Sequence, residues 1–342
     1  MQATNQKLID WMPEQMTGFG QKPIVVRHRL HELPLFSDEE LIEVLENHPR
    51  DQLQAFTMGT DASKIHEWQP VDVAGSSGKD MLSAIARGRF WFHLFRMQST
   101  NARYKELLRR LFSELSDVLP DFRPANESAT LIISSPTALV YYHADPQLNF
   151  LWHIRGSKRV WSYPAGDHEL IDQEMLEDIF ASYADEEVPY KAEFDKKAAL
   201  FELNAGDVIS WPLNSPHRVT NLDGINVSLS TVYETNESYR RKLVYNANRF
   251  FRLSCGIPLR STKEAGACSY IKRSAFKLLH KAGAVREPRR RAYISHLRID
   301  SAAPDGIEKI SDGPVLTEFS RREFTLTKNS LGQVVAVRPQ NP

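Results

Sequence analysis

The feature that most constrains the fold of this chain is a series of short apolar segments between residues 128 and 236. Glycine, proline, asparagine or aspartate separates each segment from the next, and these residues favour turns. Many short strands with frequent turns predict a β-sandwich or barrel, and the jelly roll is the version that hosts small-molecule and metal sites. One helical stretch, residues 167–187, interrupts the series. The predicted strands are ATLIISS, ALVYYHA, NFLWHI, KRVWSYP, AALFEL, DVISWP, HRVTNL and INVSLSTVYE.

The N-terminal part mixes helices with short strands. Residues 37–49 begin with Ser37 and Asp38, which are favourable capping residues, and end at a proline, so they predict a helix. Apolar spacing predicts a second helix over residues 101–120 and short strands over 23–30 and 89–97. We assign this part and the strand series to one mainly β domain, residues 1–236.

The C-terminal part, residues 237–342, is predicted to form a separate basic region. Two helices are expected after residue 236, the second capped by Ser261 or Thr262 and ended by Gly283. Strands are expected beyond them, and NSLG (329–332) is typical of a hairpin turn.

Charge is distributed unevenly along a chain whose net charge is +0. Between Arg240 and Arg298 there are 16 lysines and arginines against only Glu264 and Glu287. Such segregation favours an acidic partner for this segment, or contact between two copies of the chain in a homodimer. By default the run REPRRR (286–291) is a solvated basic loop. Nucleic acid is the less favoured partner because no aromatic residues interleave with these charges.

Composition places the chain among globular proteins, with 42% hydrophobic and 25% charged residues. Its two cysteines, Cys255 and Cys268, do not define a disulfide framework, which favours a reducing compartment. We see no secretion signal, and no apolar run reaches the roughly 18 residues that a membrane span needs. We therefore expect a cytoplasmic protein.

The segment VYYHADPQLNFLWHIRGSKRVWSYP (140–164) holds the first candidate metal ligands. His143 and Asp145 lie one strand period apart, so both side chains can point to the same place. We expect NFLWHI and KRVWSYP to form a hairpin turned by RGS (155–157), with Asn149 and His153 on one face of its first strand. His153 is expected to be a core or supporting histidine.

A third ligand is expected from AGDVISWPLNSPHRV (205–219), where His217 follows a glycine–aspartate turn, an apolar strand and a proline-rich bend. Two histidines and one carboxylate on one side of a metal leave three positions open, which is typical of non-haem Fe(II) oxygenases. Structural zinc favours four protein ligands, and no cysteine is placed to supply one. An isolated His-x-Asp also occurs by chance, so the prediction depends on all three residues together.

Lys158 is the candidate anchor for a co-substrate. An α-keto acid would fill two of the three open metal positions and leave one for O2, and its distal carboxylate would then need a cation inside the barrel. A partly buried lysine needs an anion nearby. Taken alone, Lys158 would be an ordinary solvated lysine.

These motifs resemble the JmjC/cupin-like Fe(II)- and 2-oxoglutarate-dependent oxygenases. The resemblance implies the fold of that family, a double-stranded β-helix (jelly roll, cupin/JmjC-like). The layout is most similar to that of the asparaginyl hydroxylase of hypoxia-inducible factor. The family pattern is H-x-D, an asparagine six residues after the histidine, a Gly-x-Lys, and a later Gly-Asp turn followed by a proline and a histidine. The residues that match it here are His143, Asp145, Asn149, Gly156, Lys158 and His217. The resemblance covers roughly residues 20–235.

The resemblance implies a role for each of these residues. His143, Asp145 and His217 would bind Fe(II), Lys158 would pair with the 2-oxoglutarate C5 carboxylate, and Asn149 would hydrogen-bond near the co-substrate. Three positions depart from the family pattern. A hydroxyl residue is replaced by Val140, so that Tyr142 or Tyr141 would take its place; a glutamine is replaced by His153; and an asparagine by Ser230.

The function that the resemblance implies is hydroxylation of a C–H bond with O2 and 2-oxoglutarate, giving succinate and CO2. A protein or peptide side chain is the favoured substrate. Two alternatives stay open: an oxygenase of small molecules, and a cupin-like regulatory protein that binds a metal without catalysis.

Overall fold

Sixteen strands and eight α-helices are present in the residues that the computed structural model describes, 6–119, 121–184, 186, 188–286, 291–329 and 331–338. The strands are β1 (Ile24–Arg27), β2 (Leu53–Thr57), β3 (Gln69–Asp72), β4 (Phe90–Leu94), β5 (Ala125–Ser134), β6 (Leu139–His143), β7 (Leu148–Ser162), β8 (Ala199–Asn204), β9 (Asp207–Ser210), β10 (His217–Glu234), β11 (Ile294–Ser295), β12 (Leu297–Ile299), β13 (Ile307–Lys309), β14 (Val315–Leu316), β15 (Thr325–Lys328) and β16 (Val334–Val337). The helices are α1 (Asp38–Asn47), α2 (Gly78–Arg87), α3 (Met97–Thr100), α4 (Ala102–Val118), α5 (Gln173–Phe180), α6 (Asn236–Cys255), α7 (Ala267–Lys281) and α8 (Glu318–Arg321).

Two long antiparallel strands, β7 and β10, run through both layers of the barrel. Their register extends from His217 opposite Ser162 to Tyr233 opposite Leu148. The first half of β7 and the second half of β10 lie in the larger layer, in the order β1-β9-β7-β10-β5-β4-β2-β3-β12-β13. Their other halves form the smaller layer with β8 and β6. This arrangement is the predicted double-stranded β-helix.

The predicted hairpin of NFLWHI and KRVWSYP, residues 149–164, is wrong. NFLWHI and KRVWSYP belong to one continuous strand, β7, and both pair with β10 rather than with each other. HRVTNL and INVSLSTVYE are likewise one strand, β10. The polar residues between each pair of segments form bulges, where the register shifts, instead of turns that reverse the chain.

The bulge in β7 is centred on Gly156. This residue has a φ of 78°, and a β-carbon added there would lie 2.6 Å from the side-chain nitrogen of Asn226. Before the bulge, odd-numbered residues such as Leu151 face the barrel interior; after it, even-numbered residues such as Val160 do so, and these two pack in the same interior cluster. The bulge therefore turns Lys158 inward, although it is nine positions from Asn149 and a regular strand would place the two on opposite faces.

Helices cover the outer face of the larger layer. Ser37 caps α1 as predicted, accepting a hydrogen bond from the backbone of Glu40, and α4 occupies the predicted helical region. Their apolar faces pack with Phe150, Trp152 and the other outward side chains of the sheet in the largest hydrophobic cluster. The helical insertion is shorter than predicted, with α5 spanning only Gln173–Phe180.

The C-terminal part is attached to the barrel sheet. β12 pairs in parallel with β3, and β13 pairs with β12, so the sheet continues across the predicted boundary at residue 236. The two predicted helices are present as α6 and α7. Ser261 and Thr262 do not cap the second, because α7 begins later, after Gly266.

The predicted C-terminal hairpin strands are β15 and β16, which pair with each other. Its turn includes Ser330, and the basic run includes residues 287–290; these positions lie outside the described residues. No helix within the described ranges combines the length and apolar character needed to cross a membrane.

Substituting Gly156 tests the role of the bulge. Gly156→Ala must accommodate both a positive φ and a close contact with Asn226, whereas Gly224→Ala, at a φ of 62° with no atom within 4 Å, must accommodate only the first. We expect Gly224→Ala to lower the free energy of unfolding by about 1 kcal/mol and Gly156→Ala by roughly 1–3 kcal/mol more. Urea unfolding of both variants measures the difference, and equal losses would contradict this account.

Candidate metal centre

Three side chains converge at one mouth of the barrel. His143 ends β6, His217 begins β10, and the two are register partners, while Asp145 lies in the loop after β6. One ligand atom from each lies within 4.8 Å of the other two. His143 Nε2 is 3.8 Å from Asp145 Oδ1, and His217 Nε2 is 3.6 Å from Asp145 Oδ2. The structure thus brings the three predicted ligands together.

Backbone carbonyl groups orient both imidazole rings. Nδ1 of His143 lies 2.7 Å from the carbonyl oxygen of Tyr141, and Nδ1 of His217 lies 3.1 Å from that of Ser215. A carbonyl oxygen only accepts, so each Nδ1 carries the proton and each Nε2 keeps its lone pair. Metal-binding histidines are commonly held by such a hydrogen bond.

The carboxylate of Asp145 is also held in place. The side-chain nitrogen of Asn149 donates to Oδ2 at 2.5 Å, the Trp211 side chain hydrogen-bonds the same group, and Asn214 donates to the Asp145 backbone oxygen at 3.0 Å. Burial raises the pKa of this carboxyl, and the neighbouring His143 opposes that rise. A divalent cation would stabilise the ionised form. Two imidazoles and one carboxylate fit a divalent transition metal that keeps other positions open.

The three ligands line a cavity of about 140 Å³ that also contains Lys158. The Lys158 side chain is buried, and its ammonium group donates to Ser228 Oγ at 3.0 Å. Among the described residues no carboxylate forms an ion pair with it, and burial lowers its pKa to about 7. A buried ammonium group without a counter-charge is costly, which favours an anion in this cavity.

The other predicted site residues are divided between the cavity and the core. Asn149 and Ser230 line the cavity, as do Val140 and Tyr141. Tyr142 lies on the other side of β6, where its hydroxyl donates to the carbonyl oxygen of Leu170 at 3.2 Å. The sequence offered either tyrosine for the missing hydroxyl, and strand alternation places Tyr141, not Tyr142, at the cavity.

Several residues in and around the cavity were not among the sequence predictions. Ser228 contacts Lys158, and the alternation of Ser228 with Ser230 on an apolar strand was a signal for an inward polar face. Trp211 and Asn214 contact Asp145 across the barrel, and no local pattern marks them. Trp91 and His93 line the cavity together with Trp68.

The class that this fold and this centre define is a jelly-roll protein with a His-Asp-His metal triad. Residues 21–239 match the cupin-like domain family. Because this match spans more than half of the 342 residues, the chain belongs to that family. No curated protein sequence matches the chain.

Similar solved structures include several of E. coli ycfD. One is 15% identical, with 80% of this chain and 68% of that chain covered and a TM-score of 0.46. Another, described as a ribosomal oxygenase in complex with cobalt and 2-oxoglutarate, is 14% identical over 96% of this chain and 86% of that chain, also with a TM-score of 0.46. Similarity at this level carries no residue role over to this chain.

Removing the carboxylate tests the metal centre. Because even residues that only orient a ligand contribute 10–100-fold to affinity, we expect Asn149→Ala to weaken Fe(II) or Co(II) binding by about that factor and Asp145→Ala to weaken it further. Asp167→Ala, which removes a surface carboxylate paired with Lys197, is the matched control. Competition with a chelating dye under anaerobic conditions measures the affinities. Wild-type affinity in Asp145→Ala would contradict the assignment.

Proposed function

We propose that this protein is an Fe(II)- and 2-oxoglutarate-dependent dioxygenase that hydroxylates a C–H bond on a protein or peptide side chain. Succinate and CO2 would be the co-products. The observation that carries the proposal is that one cavity contains both the His143–Asp145–His217 triad and the buried ammonium group of Lys158, which forms no ion pair with a carboxylate of the described residues.

The triad would hold Fe(II), which when bound would supply coordination for the keto acid and activation of O2. The protein supplies orientation and charge. The carbonyl groups of Tyr141 and Ser215 keep both Nε2 lone pairs directed to the metal position, and Asn149 fixes the carboxylate. Lys158 matches the distal carboxylate of a dicarboxylic keto acid, and its burial excludes water from that contact.

Aromatic side chains form the wall of the cavity away from β7. Trp68 packs against Trp91 with ring centroids 5.6 Å apart and against Tyr141 at 6.4 Å. The cavity of about 140 Å³ leaves little room beyond a small keto acid. This supports a substrate that inserts one side chain while the rest of the molecule stays outside, as a protein or peptide would. A small-molecule substrate is the alternative.

Turnover distinguishes the enzyme from a regulatory metal-binding protein. With Fe(II), O2 and a substrate, we expect the protein to convert 2-oxoglutarate to succinate, and His143→Ala and Asp145→Ala to abolish this conversion. Without O2, addition of 2-oxoglutarate to the Fe(II) protein should produce the visible charge-transfer band of the chelate. Asp167→Ala is again the control. If no band appears and calorimetry detects no 2-oxoglutarate binding to the metal-loaded protein, the regulatory alternative is favoured.

The pKa of Lys158 predicts how the stability of the ligand-free protein depends on pH. Unfolding returns this lysine from about 7 toward its ordinary value of 10.5, so within that window the unfolded chain binds more protons than the folded one. The free energy of unfolding therefore increases as pH rises from 7 toward 10.5. The buried lysine lowers it most below pH 7. We expect Lys158→Met to be more stable than the wild type at pH 6.5, with a gap that narrows by pH 9.5.

Chemical unfolding of both proteins across this pH range measures the gap. Lys197→Met, at an exposed lysine, controls for the loss of one positive charge. If the difference in unfolding free energy between Lys158→Met and the wild type does not change with pH, folding does not lower the pKa of Lys158 and this account is wrong.

The expected partners and location also remain proposals. We propose a homodimer that uses α6, α7 and the segment between them, supported by the exposed apolar side chains Leu253, Ile257, Tyr270, Ile271 and Leu278. The charge distribution supports an acidic partner for the basic 240–298 segment. The two exposed, unpaired cysteines support a cytoplasmic location.

A further inference from the structure

We propose that His153 is a positioning residue, which acts through Ser228 to direct the Lys158 ammonium group toward the anionic end of the co-substrate. The inference rests on the proposed function, because it concerns how the anchor for the distal carboxylate is held. His153 itself is not among the residues that line the cavity.

The three side chains form one continuous hydrogen-bonded chain in the interior. The Lys158 ammonium group is 3.0 Å from Ser228 Oγ, which is 3.1 Å from His153 Nδ1. His153 Nε2 is 3.0 Å from the carbonyl oxygen of Gly156. All three side chains are buried, with 4% of Lys158, 1% of Ser228 and 0% of His153 exposed.

The chemistry of the groups sets the direction of every hydrogen bond in this chain. The carbonyl oxygen of Gly156 only accepts, so His153 carries its proton on Nε2 and presents a lone pair at Nδ1. The Ser228 hydroxyl therefore donates its single proton to Nδ1. Only its oxygen lone pairs then remain for Lys158, whose ammonium group donates to them.

This direction matters because a serine hydroxyl can rotate. Without the acceptor at Nδ1, the Ser228 proton could turn toward the ammonium group or toward a bound carboxylate, and the preferred orientation of Lys158 would be lost. With the acceptor, Ser228 holds one N–H of Lys158 and leaves the other donors of the ammonium group available. A donor fixed before binding costs less to order when the ligand arrives.

His153 is kept neutral, and its backbone is held from behind. Burial and the charge of Lys158 lower the pKa of His153, so it does not acquire the second proton that would remove the Nδ1 acceptor. His28 Nδ1 accepts from the backbone nitrogen of Leu30, so His28 Nε2 is the donor to the carbonyl oxygen of His153 at 3.0 Å. The carbonyl group of Gly156 is presented by the bulge described above.

Ligand affinity tests the inference. His153→Phe keeps a buried ring without the acceptor, and Ser228→Ala removes the hydroxyl. In Mn(II)-loaded protein without O2, we expect each to weaken 2-oxoglutarate binding by about tenfold, with the double variant no weaker than Ser228→Ala because both act on one chain. Pyruvate, which lacks the distal carboxylate, should bind each variant as it binds the wild type. Calorimetry measures these affinities.

Two matched controls separate this role from general loss of buried polar groups. His48→Phe removes a buried histidine that contacts Gln52 and not the cavity. Thr231→Val removes a buried hydroxyl from the opposite face of β10, where it accepts from Trp152. Both should keep wild-type affinity for 2-oxoglutarate.

Nitrogen NMR of wild-type His153 gives a readout independent of ligand binding. We expect the neutral form protonated on Nε2, unchanged between pH 5.5 and 8.5. The opposite tautomer, or titration in that range, would overturn the inference. So would an unaltered preference for 2-oxoglutarate over pyruvate in His153→Phe. If the wild type itself binds 2-oxoglutarate no better than pyruvate, the anchoring function of Lys158 fails and the inference fails with it.

Discussion

The antiparallel pairing of β7 with β10 is the interaction on which the candidate site depends. Each strand crosses from one layer of the barrel to the other, so this one pair of strands contributes polar side chains to the cavity from both layers. β10 begins with His217 and later contributes Ser228 and Ser230, while β7 contributes Asn149 and, beyond its bulge, Lys158. Because a shift of one residue would turn these side chains to the other face, the register of this pair determines the chemistry of the interior.

The interior contains two ionisable groups whose charged forms are disfavoured by burial. Asp145 has a raised pKa and Lys158 a lowered one, in both cases because burial disfavours the charged form. The two groups do not neutralise one another by direct contact. In the proposed function each meets an external charge of opposite sign, a metal cation for Asp145 and an anion for Lys158. Such a site gives up stability in the ligand-free state in return for binding strength, as is common at functional sites.

Local patterns in the sequence predicted the fold, the three candidate ligands and Lys158, but neither most of the cavity wall nor how strands continue. The spacing of His143 and Asp145, and the position of His217 after an apolar strand, were sufficient to predict that the three side chains lie together. Lys158 was placed beside them for the wrong reason, since RGS is a bulge and not a turn; a glycine between polar residues permits both, and only the long-range pairing with β10 decides between them. Tyr142 was misplaced although alternation from His143 was available. Trp211 and Asn214 could not be found, because their contacts with Asp145 depend on how the barrel closes.

The pairing of β12 with β3 bears on which part of the chain can stand alone. The family match ends at residue 239, yet β3 has β2 on one side and β12, from far beyond that point, on the other. Tyr293, which lies just before β11, packs on Phe56, and Phe56 in turn packs on Trp68 of the cavity wall. A fragment limited to the family domain would therefore present an open sheet edge, prone to self-association, directly behind the wall that a substrate meets. In this protein the C-terminal part protects that edge, which makes it a structural component of the barrel and not an appendage to it.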